Sequence, residues 1–83
     1  MTLGVYSLQK VLFQGDVSSV TCMTTTGEIT ILDHHRPLIT ILVKGLMRIV
    51  DRAGKEHYIR VESGFLEIRS GNEAKILIDE VQD

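Results

Sequence analysis

The chain has 83 residues, 43% of them apolar, and sets nine Lys and Arg against eleven Asp and Glu for a net charge of −2. That balance argues against nucleic acid, which needs a basic patch, and against an anionic membrane surface. The longest uncharged apolar run, Pro37 to Val43, is seven residues, far short of the roughly 20 a spanning helix needs.

One domain over residues 1–83 is expected, burying roughly 60–65% of its unfolded surface. Met1-Thr2-Leu3 opens without a basic region or a long apolar stretch behind it, so no secretory signal is read there. Cys22 is the single cysteine, which rules out an internal disulfide and fits a reducing compartment.

In chain order, the first segment to weigh is Val11-Leu12-Phe13-Gln14-Gly15, which looks like part of an engineered protease site. The proline such a site carries next is Asp16 here, and the segment runs on into Val17-Ser18-Ser19-Val20, so it is read as native strand and turn. Cys22 follows inside Val20-Thr21-Cys22-Met23, a strand-like run in which a thiol is buried and inert. Beyond it, Leu46–Val50, Tyr58–Glu62, Phe65–Arg69 and Lys75–Asp79 are short runs rich in β-branched residues, several with a polar residue at every second position. That is the period of a half-buried strand. Gly15-Asp16, Gly27, Gly45, Ala53-Gly54-Lys55, Ser63-Gly64 and Ser70-Gly71-Asn72 punctuate them as turn signals. No segment sustains a 3.6-residue apolar period. The spacing predicts an all-β chain: a small two-sheet antiparallel β-sandwich with about eight to ten short strands.

Chemistry-bearing groups are sparse. His34 and His35 are adjacent, so in an extended segment their rings point to opposite faces, whereas two ligands of one metal want i,i+2 in a strand or i,i+4 in a helix. Asp33 and the distant His57 are conceivable third ligands, but a polar turn is the plainer reading. There is no G-x-S-x-G elbow, no P-loop and no G-x-G-x-x-G. Glu62, Glu67, Glu73, Asp79 and Glu80 are scattered among strand ends and outward positions, as solvated surface is. No catalytic residue, metal, nucleotide or other cofactor is expected.

What stands out is apolar excess. In Pro37-Leu38-Ile39-Thr40-Ile41-Leu42-Val43 the two alternate sets are both largely apolar. Either the strand is buried on both sides, or one face is covered by a partner, since a large exposed apolar patch usually marks an interface.

Five motifs then fall in order: Phe13-x-Gly15, Gly27-Glu28-Ile29-x-Ile31, His35-x-Pro37-Leu38-Ile39, Gly45-x-x-Arg48-Ile49 and Gly64-Phe65-Leu66-Glu67-Ile68. Together the sequence resembles the N-terminal domain of the epsilon subunit of F-type ATP synthase (delta in mitochondrial naming). The spacing from Phe13 to Ile68 fits with essentially no gaps, and the match covers nearly the whole chain. Three positions depart from the family pattern: Asp33-His34 stand for its Pro-Gly, Thr30 for the second glycine of G-E-L-G, and Ser63 for the first of a Gly-Gly pair. These bear on turn shapes rather than on the fold.

The resemblance implies a non-catalytic rotor part of the central stalk, on the cytoplasmic side of a bacterial inner membrane, coupling an ion-translocating ring to the catalytic head. It implies gamma and the ring of c subunits as partners, with no nucleic acid, no membrane insertion and no small-molecule ligand. Ser7, Leu38, Thr40 and Leu42 are expected at the gamma interface, and Glu28 and His35 against the polar loops of the ring. The family's C-terminal helical pair, with its I-D-x-x-R-A ATP motif, is not matched: Ile78-Asp79 are followed by Gln82 and Asp83 at the Arg-Ala positions. The chain is therefore expected neither to bind ATP nor to inhibit hydrolysis by itself. The rival reading is a stand-alone β-sandwich that binds a ligand or peptide. With no Trp, two Tyr and two Phe it is poorly furnished for an aromatic-lined pocket.

Overall fold

The computed structural model describes residues 1–80. Residues 81–83, among them the Gln82 and Asp83 compared with the ATP motif, lie outside the described residues.

Among the described residues seven strands follow one another: β1 (Thr2–Tyr6), β2 (Val11–Thr24), β3 (Gly27–Leu32), β4 (Leu38–Leu42), β5 (Gly45–Asp51), β6 (Glu56–Arg69) and β7 (Glu73–Glu80). The class is all-β as expected, but the strands are fewer and longer. β2 and β6 each run 14 residues, straight through Gly15-Asp16 and Ser63-Gly64, whose composition signals turns. Each long strand serves both layers. The first half of β2 pairs with β1, its second half with β5 and β3. The first half of β6 pairs with β5, its second half with β4 and β7. One layer is thus β4–β6–β7–β1–β2 and the other β3–β2–β5–β6, with β2 and β6 as shared corners.

The corners bend where the register slips, between Val17 and Ser19 in β2 and between Val61 and Ser63 in β6. An extra residue on one strand bends it and sharpens its twist, which is how a strand passes from one layer to the next. The Ser18 hydroxyl donates to Val50 O at 3.1 Å across the first of these corners. The chain also departs from a purely antiparallel sandwich: β1 runs parallel to β7 from Thr2↔Glu73 to Tyr6↔Leu77. With β1 lying between β2 and β7, hydrogen bonding closes on itself and leaves β1 no open edge.

The core lies between the layers. Leu3, Val5, Val17, Val20, Ile31, Met47, Ile49, Leu66, Ile76 and Cys22 are buried in it. β7 shows the alternation plainly, with Ala74, Ile76 and Ile78 inward and Lys75, Leu77 and Asp79 outward. The two buried threonines are satisfied: Thr21 Oγ1 lies 2.9 Å from Thr30 Oγ1, and the Thr24 hydroxyl donates to Gly27 O at 2.7 Å. Burial pushes the Cys22 thiol up to about 11, because a thiolate loses its water there.

Candidate docking face

The outer face of the β4–β6–β7–β1–β2 layer carries one continuous apolar row. Register places Ile41 opposite Phe65, Phe65 opposite Leu77, Leu77 beside Tyr6, and Tyr6 opposite Val11. Cross-strand partners share a face, so the row crosses five strands and spans about 19 Å at the usual strand spacing. Ile39, 73% exposed, extends it along β4, and Leu8, 86% exposed, stands at its other side on the β1–β2 turn. The adjoining row, Ile39–Glu67–Lys75–Gly4–Gln14, is mostly polar, with Glu67 paired to Arg69 at 3.0 Å. Gly4 has a specific use there: the Tyr6 ring lies over it, in the space a Cβ would take.

The opposite outer face differs. Leu32, Leu46 and Tyr58 are exposed there, but Thr30, Ser19, Arg48 and Arg60 separate them in register, and Arg48 pairs with Glu56 at 3.0 Å. Singly scattered apolar side chains are ordinary surface; a contiguous row is not.

The residues expected at the gamma interface divide. Leu42 is 1% exposed in the core, Leu38 packs against that core and Thr40 is half-buried. Thr40 lies opposite Leu66 and Leu38 opposite Ile68, both core residues. Leu42 is therefore corrected from surface to core, and the outward set of this strand is Ile39 and Ile41. Ser7 is spent on its own turn, where its hydroxyl oxygen accepts from the Gln9 and Lys10 N–H groups, each at 3.2 Å. Phe65, Leu77, Tyr6, Val11 and Leu8 were not singled out by sequence; a lone apolar residue among polar outward neighbours, as Leu77 is between Lys75 and Asp79, was the available signal.

Glu28 and His35 are not brought together. Glu28 stands at the start of β3, beside the Thr25-Thr26 turn, and His35 lies beyond its far end. The four residue steps from Glu28 to Leu32 alone cover about 14 Å of extended chain, so one end of the sandwich does not present both.

The His35 end is laced by charge. Arg52 donates to Asp33 Oδ1 at 2.8 Å and to Asp16 Oδ2 at 3.2 Å. The α-amino group of Met1 contacts Asp33 and lies 3.3 Å from Asp16. The Asn72 amide reaches Asp33 at 3.3 Å, and its Oδ1 accepts the His34 N–H at 2.8 Å. Arg52 first, then the amino group, hold the Asp33 carboxyl well below the usual carboxylate range, and the same two lower Asp16. Asp51 is lowered first by His57, whose Nε2 lies 2.9 Å from it, then by the Lys55 N–H. All three folded pKa values lie below their unfolded ones, so they contribute stability that is present above about pH 4 and lost as pH falls through the folded values. The urea midpoint should fall as the pH drops below about 4. Arg52→Met should flatten that acid limb; an unchanged limb would remove the arginine from it.

The loop between β3 and β4 turns at His34, which has φ 61°. A left-handed conformation costs a residue with a side chain about 1–2 kcal/mol, offset in part by the entropy glycine loses on folding. His34→Gly should be neutral or stabilising by up to about 1 kcal/mol, whereas the β-branched His34→Val should lose about 1–2 kcal/mol. Denaturant titration compares the two. Among the described residues no group of three His, Cys, Asp or Glu side chains could hold a metal ion.

The sequence model of the ATP synthase delta/epsilon chain β-sandwich domain matches residues 1–83. The chain belongs to this family. The ATP synthase epsilon chain of Psychrobacter arcticus is 40% identical over 65 residues, covering 78% of this chain and 47% of that one. This chain therefore spans about half the length of the curated relative it matches. Among solved structures, a chain of the Euglena gracilis mitochondrial ATP synthase (OSCP, F1 and c-ring) aligns with TM-score 0.88 at 21% identity, covering 95% of this chain and 51% of that one. A chain of the Tetrahymena thermophila mitochondrial ATP synthase central stalk and c-ring aligns with TM-score 0.83 at 15% identity, covering 100% of this chain and 66% of that one. At those identities the likeness is one of fold.

Proposed function

We propose that this domain is a non-catalytic joint of the ATP synthase central stalk, docking on gamma through the apolar row and meeting the membrane ring with one end. The observation that carries the reading is the row Ile41–Phe65–Leu77–Tyr6–Val11, exposed except for the half-buried Tyr6, on a chain whose family works inside an assembly. A joint of this kind needs buried area and complementarity, about 800 Å² on each side for a standard interface, and no nucleophile, base or cofactor. Such a domain sits peripherally on the cytoplasmic side of a bacterial membrane.

Of the two ends, the Glu28 end suits the ring. Glu28 is exposed and has no ion-pair partner among the described residues, so its carboxylate is free for a polar loop. Asp16 and Asp33 at the other end are already engaged. His35 then leaves the ring contact, which one end alone makes.

The test is titration calorimetry of this chain against the purified gamma subunit of the same synthase. Ile41→Asp and Phe65→Asp, which bring a charge into the contact, should each weaken binding by 100-fold or more, about 2.7 kcal/mol. Glu28→Lys should leave gamma binding intact and reduce ATP-driven ion pumping by the reconstituted enzyme. Gamma binding indifferent to both aspartates would refute the docking face.

A further inference from the structure

We infer that Leu8 is the anchor side chain of this docking face, with Ser7 as the positioning residue that holds it out. The inference rests on the proposed gamma contact and adds to it which side chain enters the partner and what kind of recess receives it.

Leu8 is the most exposed large apolar residue described, at 86%. It does not sit on a loose loop. Ser7 N–H donates to Lys10 O at 2.9 Å, and the Ser7 hydroxyl oxygen accepts from the Gln9 and Lys10 N–H groups. A serine oxygen that takes two backbone donors closes a tight turn locally. Lys10 reaches Glu80 at 3.9 Å and so ties the turn to the end of β7. The result is a four-residue turn, fastened at both sides, with a bare leucine at its tip.

That leucine borders a shallow, mostly apolar groove lined by Ile41, Phe65, Leu77 and Ile78, with Ser63 and Asp79 also in its wall, so the knob is continuous with the row. A flat row fixes a face but not a register along it. A protruding side chain beside the row fixes both, because it enters only a matching hollow. The partner feature it fits is an apolar recess large enough for one branched aliphatic side chain. Holding the turn before binding also spares much of the ordering entropy that a flexible loop would lose. A few well-packed side chains carry most of the binding energy of an interface, while the surrounding contacts exclude water.

The experiment measures affinity for purified gamma by calorimetry and thermal stability by circular dichroism, on the full chain. Leu8→Ala should weaken binding on the order of 10-fold to 100-fold and leave the melting temperature nearly unchanged, since Leu8 is 86% exposed in the free domain. Ser7→Ala should weaken binding several-fold with Leu8 intact, and Ser7→Thr, which keeps the hydroxyl, should restore it. A turn that merely stabilised the fold would change melting without that recovery of affinity. If Ile41→Asp abolishes binding while Leu8→Ala leaves it unchanged, the docking face stands and the anchor is refuted. If neither variant matters, the docking face fails and the anchor with it. If Ser7→Thr binds no better than Ser7→Ala, the positioning role is overturned.

Discussion

Leu42→Asp should unfold the domain, and its neighbour Ile41→Asp should not. Leu42 is 1% exposed, whereas Ile41 is 53% exposed on the outer face of the same strand. Removing a buried leucine costs about 2–5 kcal/mol, and an unpaired carboxylate left in its place adds several more. A domain of this size has total stability of about 5–15 kcal/mol, and a small one lies toward the lower end. The sum reaches or exceeds what is available. Thermal melts of the two variants, followed in the far ultraviolet, check it: Ile41→Asp should melt cooperatively within a few degrees of the parent, and Leu42→Asp should show no cooperative transition. If Leu42→Asp melts like the parent, the faces of β4 are inverted and the docking row loses its first members.

This pair marks where the sequence stops being legible. Strands with polar alternation could be placed and faced from the sequence: in Lys75–Asp79, Leu77 sits between two charged neighbours, and in Phe65–Arg69 the charges at 67 and 69 point outward. β4 has no such charges, so its two faces look alike, and only its pairing with Leu66 and Ile68 decides between them. Pairing is long-range and leaves no local trace. The same is true of Glu28 and His35, which seven positions of sequence bring close in writing and a strand holds apart in space.

Strand number failed for a different reason. A glycine inside a strand marks either a turn or a close approach, and the residues around Gly15 and Gly64 do not tell the two apart. The parallel β1–β7 pairing was also out of reach, since nothing in Thr2–Tyr6 distinguishes a parallel from an antiparallel neighbour. The turns at Gly54 and Gly71, at φ 85° and 88°, were legible because there the conformation itself demands glycine.

Gly64 is the position where close approach matters most, and Gly64→Ala should be among the most damaging single-methyl changes in the chain. Its own backbone is not in the left-handed region, so the demand is for space. A Cβ there would collide with the Leu77 carbonyl oxygen and would lie 2.8 Å from Ile78 Cγ2 and 3.0 Å from Ile78 Cα. A flexible side-chain tip could move aside; a carbonyl and a Cα belonging to the neighbouring ladder cannot. β6 and β7 would have to part just beyond the slip between Val61 and Ser63, where β6 bends from one layer into the other. Overpacking of this kind costs about 1–3 kcal/mol, and occasionally more where backbone must shift. For a chain this short each kcal/mol moves the melting temperature by about 4–8 °C, so a loss on the order of 10–20 °C is expected. Gly15→Ala is the control: it also sits inside a long strand, but its nearest neighbours are Phe13 ring atoms at 3.8 Å, an ordinary contact that should leave melting nearly unchanged. Equal melting of the two variants would show that β6 and β7 do not approach so closely at this point. The effect should also reach the docking face, because Phe65 follows Gly64 directly and stands opposite Leu77. Prising the two strands apart there would break the apolar row at its centre, so under the proposed docking Gly64→Ala should lose affinity for gamma at temperatures where it is still folded.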